Sequence, residues 1–369
     1  MRDRDRMMNG FSTEKMTKNT SEAIFDTAKA QQAIESGRRA RWYQRKGTKS
    51  RGFSYVRPNG KKLTDLADLD RVALLVIPPA WKYVRINPGA SGKVQAIGMD
   101  TTGRVQYIYH TKFSERQQRK KFAKLNAFGE ALPRLMEAVN RDIELEGLPA
   151  EKVLAVVMRL MGSLYFRVGS DLSEKHYKTY GITTLQKKHL EIGNKGKLTF
   201  TFVGKSHVDH RRIIVDNELA SVIKEMVSLK RGRKLFRYLD ELGKPRAITP
   251  AQINAYIKNA TDAKFSSKDF RTWGGTLLAA IGLAEEGCRE SESETKKAVT
   301  KIVKKVADEL GNTPAVCRSS YIHPAVLKAY SSGVTLDEFR PRKQRKIKRL
   351  KAELLPEEKP LIKLLKSYG

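Results

Sequence analysis

GKLTFTFVGKSHVDHRRIIV, residues 196–215, alternates apolar and polar positions through Leu198, Phe200 and Phe202, then turns and comes back. A period of two spells a β-hairpin, here with Lys205 at or near its tip. What surrounds it reads as helix. Upstream, AEKVLAVVMRLMGSLYFRVG (150–169) repeats Val153, Val156, Val157, Leu160, Met161 and Leu164 at spacings of three and four, a helix that ends near Arg167. Downstream, TPAQINAYIKNA opens with Thr249 as N-cap and Pro250 at the first helical position, and SETKKAVTKIVKKVADEL stops at Gly311. Thr313 and Pro314 then start the helix that carries Tyr321. Arg271 lies within SSKDFRTWGGTLLAAIGLA, expected to be helical and largely buried. The hairpin is thus an insertion in a mainly helical domain.

Before residue 116 the pattern is different. GFSYVRPNGKKL holds Asn59-Gly60, a two-residue turn signal, and KVQAIGMDTTGRVQYIYH brackets a second turn at Asp100 to Gly103. Between them VIPPAW calls for an extended connection, because neither proline can donate to a ladder. The fold class expected is therefore α+β: a small β-rich N-terminal domain, then a mainly α-helical one. Residues 1–36 are polar with a weak helical signal and read as a mobile arm. Residues 37–115 form the β-rich domain, 116–338 the helical domain, and 339–369 a basic C-terminal tail whose run RPRKQRKIKRLK has eight basic residues in twelve.

Lys and Arg number 72 against 40 Asp and Glu, a formal charge of +32 on 369 residues. Such an excess repels itself unless a polyanion compensates it, and nucleic acid is the commonest one. Membrane lipid is the competing polyanion, but no run approaches the roughly 20 apolar residues of a spanning helix, and the N-terminus lacks the apolar core of a signal peptide. The expectation is a soluble, cytoplasmic protein. Cys288 and Cys317 make neither a disulfide framework nor a metal site.

The sequence has no G-x-x-x-x-G-K-[ST] loop, no H-E-x-x-H and no dense carboxylate cluster of the kind that holds two magnesium ions. A protein of this composition that cuts a phosphodiester is expected to do so without cofactor, metal or nucleotide. Arg and Lys would neutralise charge, and a side chain would be the nucleophile.

Four segments give that expectation a form: FRVGSDLSEKHYKTYGITTL (166–185), FVGKSHVDH (202–210), KDFRTWGGT (268–276) and GNTPAVCRSSYIHPAV (311–326). They occur in the order found in type IB DNA topoisomerases, and the chain resembles their compact bacterial and poxvirus-like branch. VIPPAW, QAIGMDTTGRVQYIYH and NAFGEALPRL extend the likeness over about residues 37–330. The resemblance implies the catalytic fold shared by tyrosine recombinases and these topoisomerases, and a monomer whose β-rich domain helps to clamp double-stranded DNA. It also implies that Tyr321 is the nucleophile, forming a 3′-phosphotyrosyl link while a 5′-hydroxyl leaves. Arg167 and Arg271 would hold the non-bridging oxygens, and Lys205 would protonate the leaving oxygen. Nine residues before the tyrosine the poxvirus enzymes have a histidine, and this chain has Asn312. An amide transfers no proton near neutral pH, so Asn312 can only donate a hydrogen bond to the phosphate.

The chemistry agrees with those roles. A phenol titrates near ~10, and two arginines nearby would favour its ionised form. Arginine's planar fork matches phosphate geometry and stays charged. Exchanging one phosphodiester for another conserves bond energy, so religation needs no ATP.

Further DNA contacts are expected at Lys268 and His207, and at Tyr107 and Tyr109, which share one strand face and for which packing stays open beside DNA contact. For His207 and His210, phosphate contact and simple solvation both stay open. Two alternatives compete with the topoisomerase. A tyrosine recombinase shares the Arg-Lys-Arg-Tyr set, but Lys268 stands where its His-x-x-Arg box would have histidine, and the β-rich front is not its usual partner domain. A non-catalytic basic DNA-binding protein would explain the charge and leave the motifs to chance.

Overall fold

In the computed structural model, which describes residues 27–339 and 355–369, contacts divide the chain into one unit ending at Arg116 and another beginning at Gln117. The first unit is β-rich and the second mostly helical.

Two helices, α1 (Thr27–Glu35) and α2 (Leu66–Leu74), cover the first unit's antiparallel sheet, whose strands are β1 (Tyr43–Thr48), β2 (Gly52–Val56), β3 (Lys82–Ile86), β4 (Val94–Met99) and β5 (Val105–Tyr109). Their order is β2-β1-β3-β4-β5. Alternation along β4 explains the two layers: Ala96 joins Tyr43, Val84 and Ile86 against Val72 of α2 and Leu63 in the segment before it, whereas Ile97 and Met99 point the other way, onto Ile34 of α1. Asp100 makes the β4–β5 turn, its side chain accepting the N–H groups of Thr102 and Arg104, both at 2.9 Å. Residues 27–35 lie inside the stretch read from sequence as a mobile arm. They form a helix instead, because Ile34 is wholly buried and Glu35 pairs with Arg85 at 2.9 Å. The rest of that arm, residues 1–26, lies outside the described residues.

The helical unit opens with α3 (Thr111–Ala123), which begins in the first unit, then α4 (Leu125–Ile143), α5 (Ala150–Leu164) and α6 (Asp171–Tyr177). An antiparallel sheet of β6 (Leu190–Ile192), β7 (Lys197–Gly204) and β8 (Val208–Val215) follows, then α7 (Asn217–Ser228) and a ribbon of β9 (Arg237–Leu239) and β10 (Pro245–Ala247). Helices α8 (Pro250–Thr261), α9 (Ser267–Glu286), α10 (Glu292–Leu310), α11 (Pro314–Ser320), α12 (Pro324–Ser331) and α13 (Glu358–Tyr368) complete it.

Leu125, Phe128, Leu132, Leu135, Val139 and Ile143 on α4 recur at spacings of three and four, so one stripe faces the core. Phe128 meets Phe270 and Trp273 of α9 edge-on, at centroid distances of 5.2 and 6.2 Å. α5 is buried almost all round rather than on one face, Lys152 through Met158 included, since α4, α8 and α9 all pack on it.

The sequence placed residues 339–369 in a basic tail, yet α13 is an integral helix. It buries Leu361, Leu364 and Leu365, and its Glu358 accepts from Trp273 Nε1 at 2.9 Å. The basic run 340–351 lies outside the described residues. Among the described residues no helix is long and apolar enough to cross a membrane.

Candidate active site

Two helix ends meet at this site. α5 stops at Leu164 because Tyr165 turns left-handed (φ 52°), and α10 stops at Leu310 because Gly311 does the same (φ 60°). Each end leaves carbonyls without an intrahelical partner, at the negative pole of the helix dipole. Arginines take them. Arg271, 6% exposed on the first turns of α9, donates through Nη1 to Tyr165 O at 2.5 Å and through Nη2 to Leu310 O at 2.6 Å. Arg167, half-buried just past α5, donates through Nη2 to Gly311 O at 2.8 Å and to Asn312 Oδ1.

Neither guanidinium has a carboxylate partner among the described residues. Burial draws both below the usual arginine range. For Arg271 the charge of Arg167 adds to that, and for Arg167 the charge of Arg212 does so, while Tyr321 opposes the shift in both. Arg271 Nε and Asn312 Nδ2 have no hydrogen-bond partner. Since Asn312 Oδ1 accepts from Arg167, its amide hydrogens face elsewhere. The cluster is a cationic site with spare donors and no internal anion.

Tyr321 is the C-cap of α11 rather than part of it, its N–H donating to Cys317 O at 2.9 Å. Thr276 Oγ1 on α9 donates to its carbonyl at 3.1 Å. Gly275 lets α9 approach this closely: a Cβ there would stand 2.8 Å from Tyr321 O. The Arg271 guanidinium carbon lies 5.3 Å from the centroid of the Tyr321 ring.

β7 and β8 pair from Lys197↔Val215 to Gly204↔Val208, so Lys205 opens the connection between them, exposed. Ser206 and His207 follow with φ of 64° and 56°, and His207 is exposed too. Lys205 lines one small cleft with Arg167 and Arg271. Lys268 sits exposed one turn before Arg271 on α9. Tyr107 and Tyr109 belong to the first unit, where they stack with centroids 6.0 Å apart and are 41% and 42% exposed.

Two neighbours, Lys121 and Arg212, escape sequence reasoning, and a third, His210, is left by it between phosphate contact and solvation. Lys121 on α3 donates to Ser320 O and lies 5.0 Å from the Tyr321 ring centroid, and burial lowers its pKa. A lysine in the basic run RQQRKKF gives no signal of a partner 199 positions away. His210 and Arg212 on β8 line the cleft with Arg167 and Arg271. The alternation of the hairpin put His210 on the same face as Phe202, and that was the available clue. No group of three or more potential metal ligands occurs among the described residues.

Residues 110–353 match the family model described as the catalytic core of eukaryotic DNA topoisomerase I, and residues 52–100 match the N-terminal domain of bacterial DNA topoisomerase IB. DNA topoisomerase 1B of Acanthamoeba polyphaga mimivirus is 30% identical over 285 residues, covering 75% of this chain and 84% of the relative. The vaccinia virus DNA topoisomerase 1B is 24% identical over 255 residues, 66% of this chain and 77% of its own. DNA topoisomerase 1 of rabbit fibroma virus is 23% identical over 235 residues, covering 63% and 70%. The catalytic-core match covers most of the helical unit that holds the site, and the second match falls in the β-rich unit. The chain belongs to the type IB DNA topoisomerase family.

Proposed function

We propose that the chain relaxes supercoiled duplex DNA by nicking one strand through Tyr321 and resealing it. The Tyr321 phenol releases its proton to solvent water as its oxygen attacks the scissile phosphorus, a P–O bond to tyrosine forms, and the P–O5′ bond breaks. The strand ends as a 3′-phosphotyrosyl adduct and a 5′-hydroxyl, whose proton comes from Lys205. Arg167 and Arg271 hold the non-bridging oxygens, and Asn312 donates its free amide hydrogen to one of them. Religation is the same exchange in reverse, so no nucleotide enters.

The observation that carries this reading is the pair of arginines without carboxylates beside Tyr321, each held by carbonyls of helix ends. Preorganised donors of this kind stabilise charge that develops on phosphate, and losing one typically costs roughly 10²–10³ in rate. Lys205 on a two-stranded connection has the reach and exposure to meet a leaving oxygen outside the arginine pair. One chain supplies all five groups, which favours a monomer on DNA. The helical unit with its lysine hairpin is then of the kind that tyrosine recombinases also use, and the β-rich front and its family match favour the topoisomerase. Lys268 and His207 would contact phosphates near the nick, Tyr107 and Tyr109 the duplex held by the other unit, and the work place is a DNA-containing compartment.

Relaxation of positively and negatively supercoiled plasmid in EDTA without nucleotide is the expected result. Arrest by EDTA would refute the metal-free reading, and a requirement for paired recombination sites would favour the recombinase. Binding should fall with salt at a log–log slope of about −0.9 per neutralised phosphate.

A further inference from the structure

His210 sits where the proposed phosphate site lacks an assigned group. On β8 it pairs with Phe202 of β7, against whose ring it lies at 5.1 Å, and it is 9% exposed. Its ring fills the gap between Gly204, just before Lys205, and Gly311, just before Asn312. A Cβ on either glycine would come within 2.5 Å of a ring carbon. The imidazole is thereby held between the lysine connection and the arginine–asparagine cluster, lining the cleft with Arg167, Lys205 and Arg271.

The neighbours fix its tautomer. Arg212 Nη2 lies 3.5 Å from His210 Nδ1, and a guanidinium has hydrogens to give and no lone pair to offer, so Nδ1 accepts. Glu309 holds Arg212 in place through both its carboxylate and its main-chain carbonyl. The ring proton is therefore on Nε2, between the two glycines, with no hydrogen-bond partner among the described residues. We propose that His210 is a further donor to a non-bridging oxygen of the scissile phosphate, acting as a neutral imidazole through Nε2–H.

Charge favours the neutral form. Burial, then Arg212 on β8, Arg167 after α5 and Arg271 on α9, push its pKa down to about 4, with Asp209 on β8 opposing. The ring gives a hydrogen bond at neutral pH without adding another positive charge to a site already crowded with them. It is not a proton donor to the leaving group.

The inference rests on phosphoryl transfer at Tyr321, so Tyr321→Phe is the control for that reading. Single-turnover cleavage and equilibrium DNA binding would be measured for His210→Phe, which keeps a ring against Phe202 but no donor, and for His210→Gln, which keeps an N–H. His210→Leu replaces the phenylalanine variant should that one fail to melt cooperatively. The apolar variant is expected to bind DNA normally and to cleave roughly 10²-fold more slowly, with Gln recovering most of the rate. DNA with a 5′-bridging sulfur should not rescue the apolar variant. Wild-type cleavage by the apolar variant, equal loss in Gln and apolar variants, or rescue by the sulfur substrate would each overturn the assignment. A covalent adduct that persists in Tyr321→Phe would instead sink the underlying function.

Discussion

Replacing Gly275 by alanine adds one methyl group against the backbone of Tyr321 and nothing else. The new carbon would stand 2.8 Å from Tyr321 O, 3.0 Å from Leu310 Cδ1 and 3.1 Å from Tyr321 Cβ, where ordinary contact begins at 3.4 Å. The carbonyl would have to retreat by about 0.6 Å, yet Thr276 Oγ1 from the same helix holds it at 3.1 Å. In folding stability, alanine's helix preference contributes about 1 kcal/mol against an overpacking cost of about 1–3 kcal/mol, a net loss of about 0–2 kcal/mol. Catalysis has no such offset, because a displacement of about 1 Å can lower a rate about 10²-fold. Gly275→Ala is therefore expected to cleave a suicide duplex substrate about 10- to 100-fold more slowly, with DNA affinity unchanged and a melting temperature within a few degrees of wild type. Wild-type cleavage would show that the placement of Tyr321 does not depend on this contact, and would refute the reasoning.

Lys205→Ala should cleave ordinary DNA very slowly and recover most of its rate on 5′-bridging phosphorothioate DNA, whose thiolate leaves without a proton, while Arg167→Ala and Arg271→Ala stay slow on both. Equal defects of Lys205→Ala on the two substrates would move proton donation elsewhere, with Lys268 next. Lys121→Met should lose about tenfold in single-turnover cleavage at unchanged affinity, since Ser320 O loses its donor beside Tyr321, and Lys121→Arg should recover part of it. An unchanged rate in Lys121→Met would remove that anchor from the account. His323 is buried with its pKa down to about 4, whereas the unfolded chain's histidine titrates near ~6.5. The unfolded state binds the extra proton in that window, so this stability is complete above about pH 6.5 and is lost as pH falls toward 4. Urea melts of His323→Gln should show a shallower acid slope, by up to about 1.4 kcal/mol per pH unit, and an unaltered slope would contradict the burial.

Much of this arrangement is written locally. Thr313 and Pro314 start α11 and Gly311 ends α10 by rules that act over four residues, and the alternation of Leu198, Phe200 and Phe202 specifies β7. Glycine doublets in RTWGG mark close approach, although only the fold says that Tyr165 and Tyr321 are what approach. Partners distant in sequence left no such trace. The Lys121–Ser320 contact, the Glu309–Arg212–His210 chain and the seat of α13 on Trp273 depend on tertiary packing, which no period encodes. The sequence hides α1 and α13 because α1 carries few apolar residues and α13 follows a strongly basic run. Ile34 alone anchors much of the first, and Leu361, Leu364 and Leu365 follow a basic run.

Peptide mapping of the covalent complex trapped on a nicked duplex tests the central claim most directly. The account predicts a single modified tryptic peptide carrying a DNA 3′-phosphate on Tyr321, with the released strand bearing a free 5′-hydroxyl. Attachment to any other residue, or through a 5′-phosphate, would contradict it.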